Sequence, residues 1–362
     1  MRRIFYISFI ITLSSIILSC GGGSKESSSI RTESYIGPGS TWTVDLSSND
    51  QFSITYRENP QADVELSFSG NYQKLPSGFV AMTVTGSSDS GTVAGSMAFG
   101  LEVPGVMFLL QPVGGDGLVP MVSAGNCPNE DYVANWLAIN LEDGADLTSI
   151  DVDLFGQLGF NTATGVASLT SSYNSAGTRR GSASSFRSGS CQDGILVIDD
   201  PVDSDNGDVL YLTDGGGSII QTNIADDAAS LFYFSLPVKS AGTLSGFQGE
   251  YVGLALNNGD PDGSQINAVN VSCSNAGVCQ LKEVNPLTGV LSSDSATLTL
   301  STPNSPTNGF IAAVMNIDTD NGNFYCMVDR DAAESGTKIL MCTGQVPTDN
   351  SEYINLMLVS KN

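Results

Sequence analysis

Histidine is absent from all 362 residues. That absence removes the Ser-His-Asp triad, the Cys-His dyad and histidine-ligated zinc, each of which depends on an imidazole. Basic residues are scarce as well: Lys and Arg number 14 against 38 Asp and Glu, for a formal charge of −24. A body this acidic repels phosphate backbones, which argues against nucleic acid and anionic membrane surfaces as partners. Charged residues of both signs together reach only 14 %, well below the roughly 25 % of ordinary globular chains. There is no C-x-x-C pair, no G-x-S-x-G elbow and no phosphate-cradling glycine loop. Nor does any segment sustain apolar residues at helical spacing between capping residues.

What is present is material for strands. Apolar residues make up 41 %, enough to build cores. "TWTVDL", "QFSITY", "VELSF", "FVAMTV", "VMFLLQ", "WLAINL", "GILVID", "DVLYLT", "SLFYFSL", "FIAAVM" and "TKILMC" are short and rich in β-branched or aromatic residues. Gly, Asn, Asp, Ser or Pro bounds each of them, as turns require. The pattern predicts an all-β protein of tandem antiparallel β-sandwich or β-barrel modules.

The strands also repeat. "GILVID" and "GFIAAVMNID" are followed by "DSDNGDVLYLTD" and "DTDNGNFYCMVD". One offset aligns Gly194 with Gly309, Asp203 with Asp318, Asp205 with Asp320 and Asp214 with Asp329. Upstream, "NTATGVAS" at Asn161 is similar to "NPLTGVLS" at Asn285, and "DYVANW" to "EYVGLA". "SGFVAMTVT" at Ser77 reads as a third copy. Three related β modules are expected, at 34–125, 126–240 and 241–362, with two larger domains as the alternative.

Seven cysteines are present. Setting Cys20 aside leaves an even six, suited to an oxidising compartment. Cys273 and Cys279 enclose a short polar loop. Folding the segment between Cys326 and Cys342 about Glu334 places these two opposite each other, with Val328 and Leu340 on the same face. Cys127 and Cys191 remain as the third pair, and every pair then closes within one module.

The amino terminus gives an address. "MRR" precedes an uncharged run from Ile4 to Leu18, too short to span a bilayer but suited to a signal-peptide core. The run ends Ile17-Leu18-Ser19-Cys20, which resembles the lipobox of bacterial lipoproteins. The resemblance implies cleavage before Cys20, diacylation of its thiol with palmitate-type chains, and acylation of the new amine. Residues 1–19 are then a signal peptide and 20–33, beginning "CGGGSKESSS", a flexible tether. Gly21 stands where an aspartate would resemble an inner-membrane retention signal, which favours the outer membrane of the cell envelope.

Chemistry is harder to find. "SGTK" at Ser335 and "SDN" at Ser204 match two penicillin-recognising motifs, but in reverse order and without "KTG", so the match is read as chance. Carboxylate pairs such as Glu130 and Asp131 suit a glycosidase only if they converge 5–10 Å apart in a cleft. Trp42 and Trp136 suit sugar-stacking platforms, although tryptophans on strands near a module's start belong more often to a core. "SSYNSAGTRRGSASSFRSGSC", with Arg179, Arg180 and Arg187, reads as a mobile, solvated insertion. Asp203, Asp205 and Asp208, and again Asp318, Asp320 and Asn323, place oxygens near a glycine turn in a manner suited to calcium. The same stretches also read as plain hairpins turning at Asn206-Gly207 and Asn321-Gly322.

Two functions fit. The first is a non-catalytic, lipid-anchored envelope protein that binds a protein or carbohydrate, adheres, or serves envelope structure. The second is an extracytoplasmic hydrolase, such as a glycosidase, that uses carboxylates alone.

Overall fold

A computed structural model describes residues 32–361 except 38–41, 58–61, 90, 92–93, 113–118, 124–126, 128–129, 140–154, 165, 174–178, 181–183, 188–193, 199–207, 213–217, 222–231, 239–245, 259–264, 303–309, 318–319, 333–335 and 346–352. Every element among the described residues is a strand, so the protein is all-β. No described helix is long and apolar enough to cross a membrane.

The first sheet comprises β1 (Thr32–Ile36), β2 (Trp42–Ser47), β3 (Gln51–Tyr56), β4 (Leu66–Lys74), β5 (Val80–Ser87), β6 (Met97–Val103), β7 (Met107–Pro112) and β8 (Val119–Ser123). Each strand pairs antiparallel with the next, and β1 pairs with β8 to close a barrel. Closure leaves no free edge to pair with another chain.

The second sheet comprises β9 (Tyr132–Ile139), β10 (Phe155–Asn161), β11 (Val166–Tyr173), β12 (Arg179–Arg180), β13 (Ser184–Arg187), β14 (Ile195–Ile198), β15 (Asp208–Leu212), β16 (Ser218–Gln221) and β17 (Phe232–Pro237). Its first and last strands, β9 and β17, also pair. Strands β12 and β13 bond successive parts of β11, with Tyr173 opposite Arg179 and Val166 opposite Arg187, so together they take the fourth position in the sheet. Counted so, the sheet follows the same eight-position meander as the barrel. Among the described residues its path ends at β12 and β13 on one side and β14 on the other.

The pairing of β12 and β13 corrects the expectation of a loose insertion around Arg179, Arg180 and Arg187. Ser and Gly are poor at packing a strand, but the ladder bonds come from the backbone, which every residue but proline supplies in full.

The third sheet comprises β18 (Gly249–Asn258), β19 (Gln265–Cys273), β20 (Val278–Val284), β21 (Leu291–Ser301), β22 (Phe310–Ile317), β23 (Asp320–Ala332), β24 (Thr337–Gln345) and β25 (Tyr353–Ser360). It also closes into a barrel, named the third barrel after its sheet, sealed by β18 against β25. The glycine-led strands that suggested a repeat, after Gly78, Gly194 and Gly309, are β5, β14 and β22, the fifth position of each meander.

One sequence parallel fails. "NTATG" joins the second and third strands of its sheet, whereas "NPLTG" joins the third and fourth. The likeness reflects shared turn chemistry: Asn161 Oδ1 accepts from the Thr164 amide at 2.9 Å, and Asn285 Oδ1 from the Thr288 amide at 3.0 Å.

Each barrel is filled by its own side chains. Tyr35, Leu46, Phe52, Met82 and Phe108 pack inside the first, and Tyr251, Leu281, Leu298, Phe324 and Leu356 inside the third. Strand alternation sends the other residues outward, where two kinds of face result. On β24 and β25 the outward residues Ile339, Met341, Met357 and Val359 are apolar and buried. They join Phe79, Leu101 and Leu109 of the first barrel and Leu137, Phe155 and Phe234 of the middle sheet in one shared core. Phe155 lies 4.2 Å from Tyr325 and 5.1 Å from Phe310, ring to ring, which fastens the middle sheet to the third barrel.

Among the described residues, two outward stretches are polar. Ser34, Asp45, Ser53 and Ser69 form one rung across β1 to β4. Ser272, Gln280, Thr297 and Asn316 form another across β19 to β22.

Interior packing of the first barrel depends on a missing side chain. A Cβ on Gly100 would sit 2.1 Å from Phe108 Cζ. Overpacking of this kind costs about 1–3 kcal/mol, so Gly100→Ala should lower the melting temperature of the body. Phe108→Leu should cost less in the Gly100→Ala background than in the wild type; simple additivity of the two changes would contradict this packing.

Candidate functional site

A convergent group of ionisable side chains lies at the end of the first barrel where β1 begins. Glu33 and Tyr35 alternate onto the same inward face of β1. Tyr35 is fully buried, and its hydroxyl oxygen lies 2.9 Å from Glu33 Oε2 and 3.0 Å from Glu102 Oε1. From the end of β4, Lys74 Nζ reaches Glu102 Oε2 at 2.6 Å. Tyr72, on the same strand, donates to the Ser47 carbonyl.

A phenol has one proton, so Tyr35 can donate to only one of the two carboxylates. The other contact needs a proton on the carboxyl group itself. Burial pushes the Glu102 carboxyl above the usual carboxylate range; the Lys74 ammonium pulls it back, and Glu33 pushes it further up. Burial, then Glu102 and Glu33, drive the Tyr35 hydroxyl far above the ordinary phenol range. Lys74 is held above its ordinary value because Glu102 and Glu33 outweigh the effect of its own burial.

This arrangement does not suit glycoside hydrolysis. The hydroxyl of Tyr35 fills the gap between the carboxyl groups, and the ammonium of Lys74 occupies the far side of Glu102, where a substrate would have to sit. The group closes a barrel mouth. Its sequence signal was faint: a lone Glu102 between Leu101 and Val103, and the alternation of Glu33 with Tyr35.

The residues singled out from the sequence are placed as follows. Cys20, Cys191, Asp203, Asp205 and Asp318 lie outside the described residues. Cys127 is disulfide-bonded. Cys273 bonds Cys279 across β19 and β20, and Cys326 bonds Cys342 across β23 and β24, all four sulfurs inside the third barrel. Val328 stands opposite Leu340.

Asp208 opens β15 and Asp320 opens β23. Asn321 and Gly322 are laddered to Asn316 and Met315, so they lie within the strand rather than at the turn. The ladder passes from Ile317 directly to Asp320, which corrects the turn expected at Asn321-Gly322; the continuing backbone ladder outweighs the local turn preference. Asp320 and Asn323 are three residues apart on an extended strand and therefore project to opposite faces. Among the described residues no three acidic or cysteine side chains gather as a metal site would need.

Glu130 and Asp131 are exposed, and Asp131 braces the turn after β10 by accepting from the Thr162 amide at 2.7 Å and from Asn161 Nδ2 at 2.7 Å. Trp136 is buried, and Trp42 packs at 4.8 Å from Tyr56 against the first barrel's core. At one mouth of the third barrel, Met315, Phe324 and Ile354 line a shallow depression edged by Asp320, with room for about one water molecule.

No family model matches the chain, and no curated protein matches it. Among solved structures it is similar to transferrin binding protein B from Haemophilus parasuis, in a double mutant at 8% identity and a TM-score of 0.33. It is also similar to the isotype 1 protein from serogroup B Neisseria meningitidis, at 9% identity and a TM-score of 0.19. Each match covers 88% of this chain and 65% of the other, so the chain spans less than two thirds of their length.

The cluster's charge states make a pH prediction. A carboxyl group whose value is raised on folding contributes stability in full below its unfolded value of about 4.3, and loses it as pH rises through the folded value. Glu33, Tyr35, Tyr72 and Lys74, with Asp50 nearby, share that environment. Between about pH 4 and about pH 7 the wild type should therefore lose more melting temperature than Glu102→Gln, whose amide does not titrate. Parallel curves for the two proteins would contradict the raised Glu102.

Proposed function

We propose that the protein is a non-catalytic, lipid-anchored envelope protein that binds a protein or carbohydrate partner through its outer surface. The observation that carries this reading is the filling of both closed barrels. Buried side chains and two cystines occupy the space where a barrel that carries a small ligand would keep a cavity. Binding is left to the polar rungs on the outward faces and to the connections at the barrel ends. Hydroxyl and amide groups spaced along such rungs suit hydrogen bonding to a glycan or a peptide backbone.

The three modules 34–125, 126–240 and 241–362 are proposed as copies of one meander, supported by the equal placement of their glycine-led fifth strands. The anchor is proposed at Cys20, in the outer membrane, on the lipobox-like order of Ile17 to Cys20 and on Gly21 after it.

Globomycin treatment, or Cys20→Ala, should leave unprocessed precursor and abolish labelling with a palmitate analogue. Normal processing of the Cys20→Ala protein would mean an ordinary signal peptidase and would end the lipoprotein reading. Capture experiments with the body from Gly21 onward should then identify the partner, and hydrolysis of any glycan that it captures would contradict the non-catalytic reading.

A further inference from the structure

The turn between β20 and β21 displays apolar side chains on a braced backbone. Asn285 Oδ1 accepts from the amides of Leu287 and Thr288, both at 3.0 Å. The Gly289 amide donates to the Asn285 carbonyl at 2.8 Å, and the Asn285 amide to the Val290 carbonyl at 2.9 Å. Gly289 takes a positive φ of 70°, which its lack of a side chain permits. On this frame Leu287, Val290 and Leu291 are 48%, 65% and 45% exposed. Three neighbouring apolar side chains in water, on a turn that has already lost its freedom, mark a contact surface.

The position of the turn says what it meets. Ser77 Oγ, in the connection between β4 and β5, donates to the Pro286 carbonyl at 2.9 Å. Next to it, a Cβ on Gly78 would come within 2.6 Å of Val252 Cγ1, so this connection is seated on the flank of the third barrel. β4 ends and β1 begins at the same rim of the first barrel, where Glu33 and Lys74 meet through Tyr35 and Glu102. The chain leading back to Cys20 therefore leaves from the rim against which the apolar turn stands. Lys282 is exposed next to the turn, opposite Asn270 in the ladder, and Lys361 Nζ donates to Asn270 Oδ1. Against these two lysines stand Glu250 on β18, Glu283 on β20 and Asp294 on β21, so the flank carries a net charge of −1 in a protein of −24.

We propose that Leu287, Val290 and Leu291 dip into the surface of the bilayer that holds the Cys20 anchor, as a second membrane contact. The proposal rests on the lipid-anchor reading given above. Twelve residues, 20–31, span at most about 40 Å, so the rim stays within reach of the headgroups. Apolar side chains on a fixed turn gain from entering the headgroup and acyl boundary, where a charged face does not. Such a contact would set the tilt of the body, turning this rim toward the membrane and the opposite rim, with Val64, away from it.

The test uses the full lipidated protein, reconstituted in vesicles of phosphatidylethanolamine and phosphatidylglycerol. Val290→Cys, carrying an environment-sensitive dye, should show a blue-shifted emission, loss of iodide quenching and strong quenching by lipids spin-labelled near the headgroup. Val64→Cys with the same dye should read water throughout. Flotation of the wild type with the vesicles, together with palmitate-analogue labelling, reports the anchor separately. A protein that floats while the dye at position 290 reads water overturns the membrane contact and leaves the anchor intact. A protein that neither floats nor takes the label overturns the anchor reading and this contact with it. Shielding of the dye at position 290 by a co-purifying protein, with no quenching by spin-labelled lipid, would make the turn a protein-docking site and overturn the proposal as well.

Discussion

The arrangement of the molecule depends on apolar burial between the outward faces of its three sheets. A lone up-and-down barrel needs polar residues outside and apolar residues inside. Here β24 and β25 are apolar on both faces: Leu340, Leu356 and Leu358 fill the barrel, while Ile339, Met341 and Met357 face the shared core. Left exposed, those outward residues would be a large apolar patch of the kind that drives aggregation. Packed against Leu101 and Leu109 of one sheet and Phe155 and Phe234 of another, they fix where each sheet must sit. The docking of Gly78 against Val252, which admits no Cβ, fixes the direct approach of the two barrels.

This division of faces bears on function. Strands that bury both faces have no surface left for a partner, whereas the rungs on β1 to β4 and on β19 to β21 keep polar residues outward. The same economy explains the cluster of Glu33, Tyr35, Lys74 and Glu102. A barrel mouth must end its apolar filling somewhere, and polar groups bonded to one another do so at lower cost than polar groups left unpaired.

Much of the architecture was legible in the sequence. Short β-branched runs between turn residues revealed an all-β chain, and the hairpin from Cys326 to Cys342 was legible because equal spacing about Glu334 sets Cys326 opposite Cys342 and Val328 opposite Leu340. Strands such as β21, "LSSDSATLTLS", were not, because only Leu298 and Leu300 face a core and the outward Ser and Thr read as loop. Barrel and sandwich could not be told apart, since that distinction lies in whether the first strand pairs the last, a contact between residues some 90 positions apart such as Tyr35 and Ser123. The cluster around Tyr35 was hidden for the same reason: β1, β4 and β6 are far apart in the chain and meet only when the barrel closes. Local turn signals misled twice, at Asn321-Gly322 and in the likeness of "NTATG" to "NPLTG", because turn chemistry recurs wherever a chain reverses, whatever its place in a fold.

The central claim is that the three sheets fold as one body around a common apolar core. Unfolding of the oxidised chain from Gly21 onward, followed by calorimetry and by tyrosine fluorescence, tests it most directly. The account predicts one cooperative transition, shifted as a whole by Phe155→Ala, which opens the aromatic contact with Phe310 and Tyr325. Two or three separable transitions, of which Phe155→Ala moves only the one belonging to the middle sheet, would contradict it.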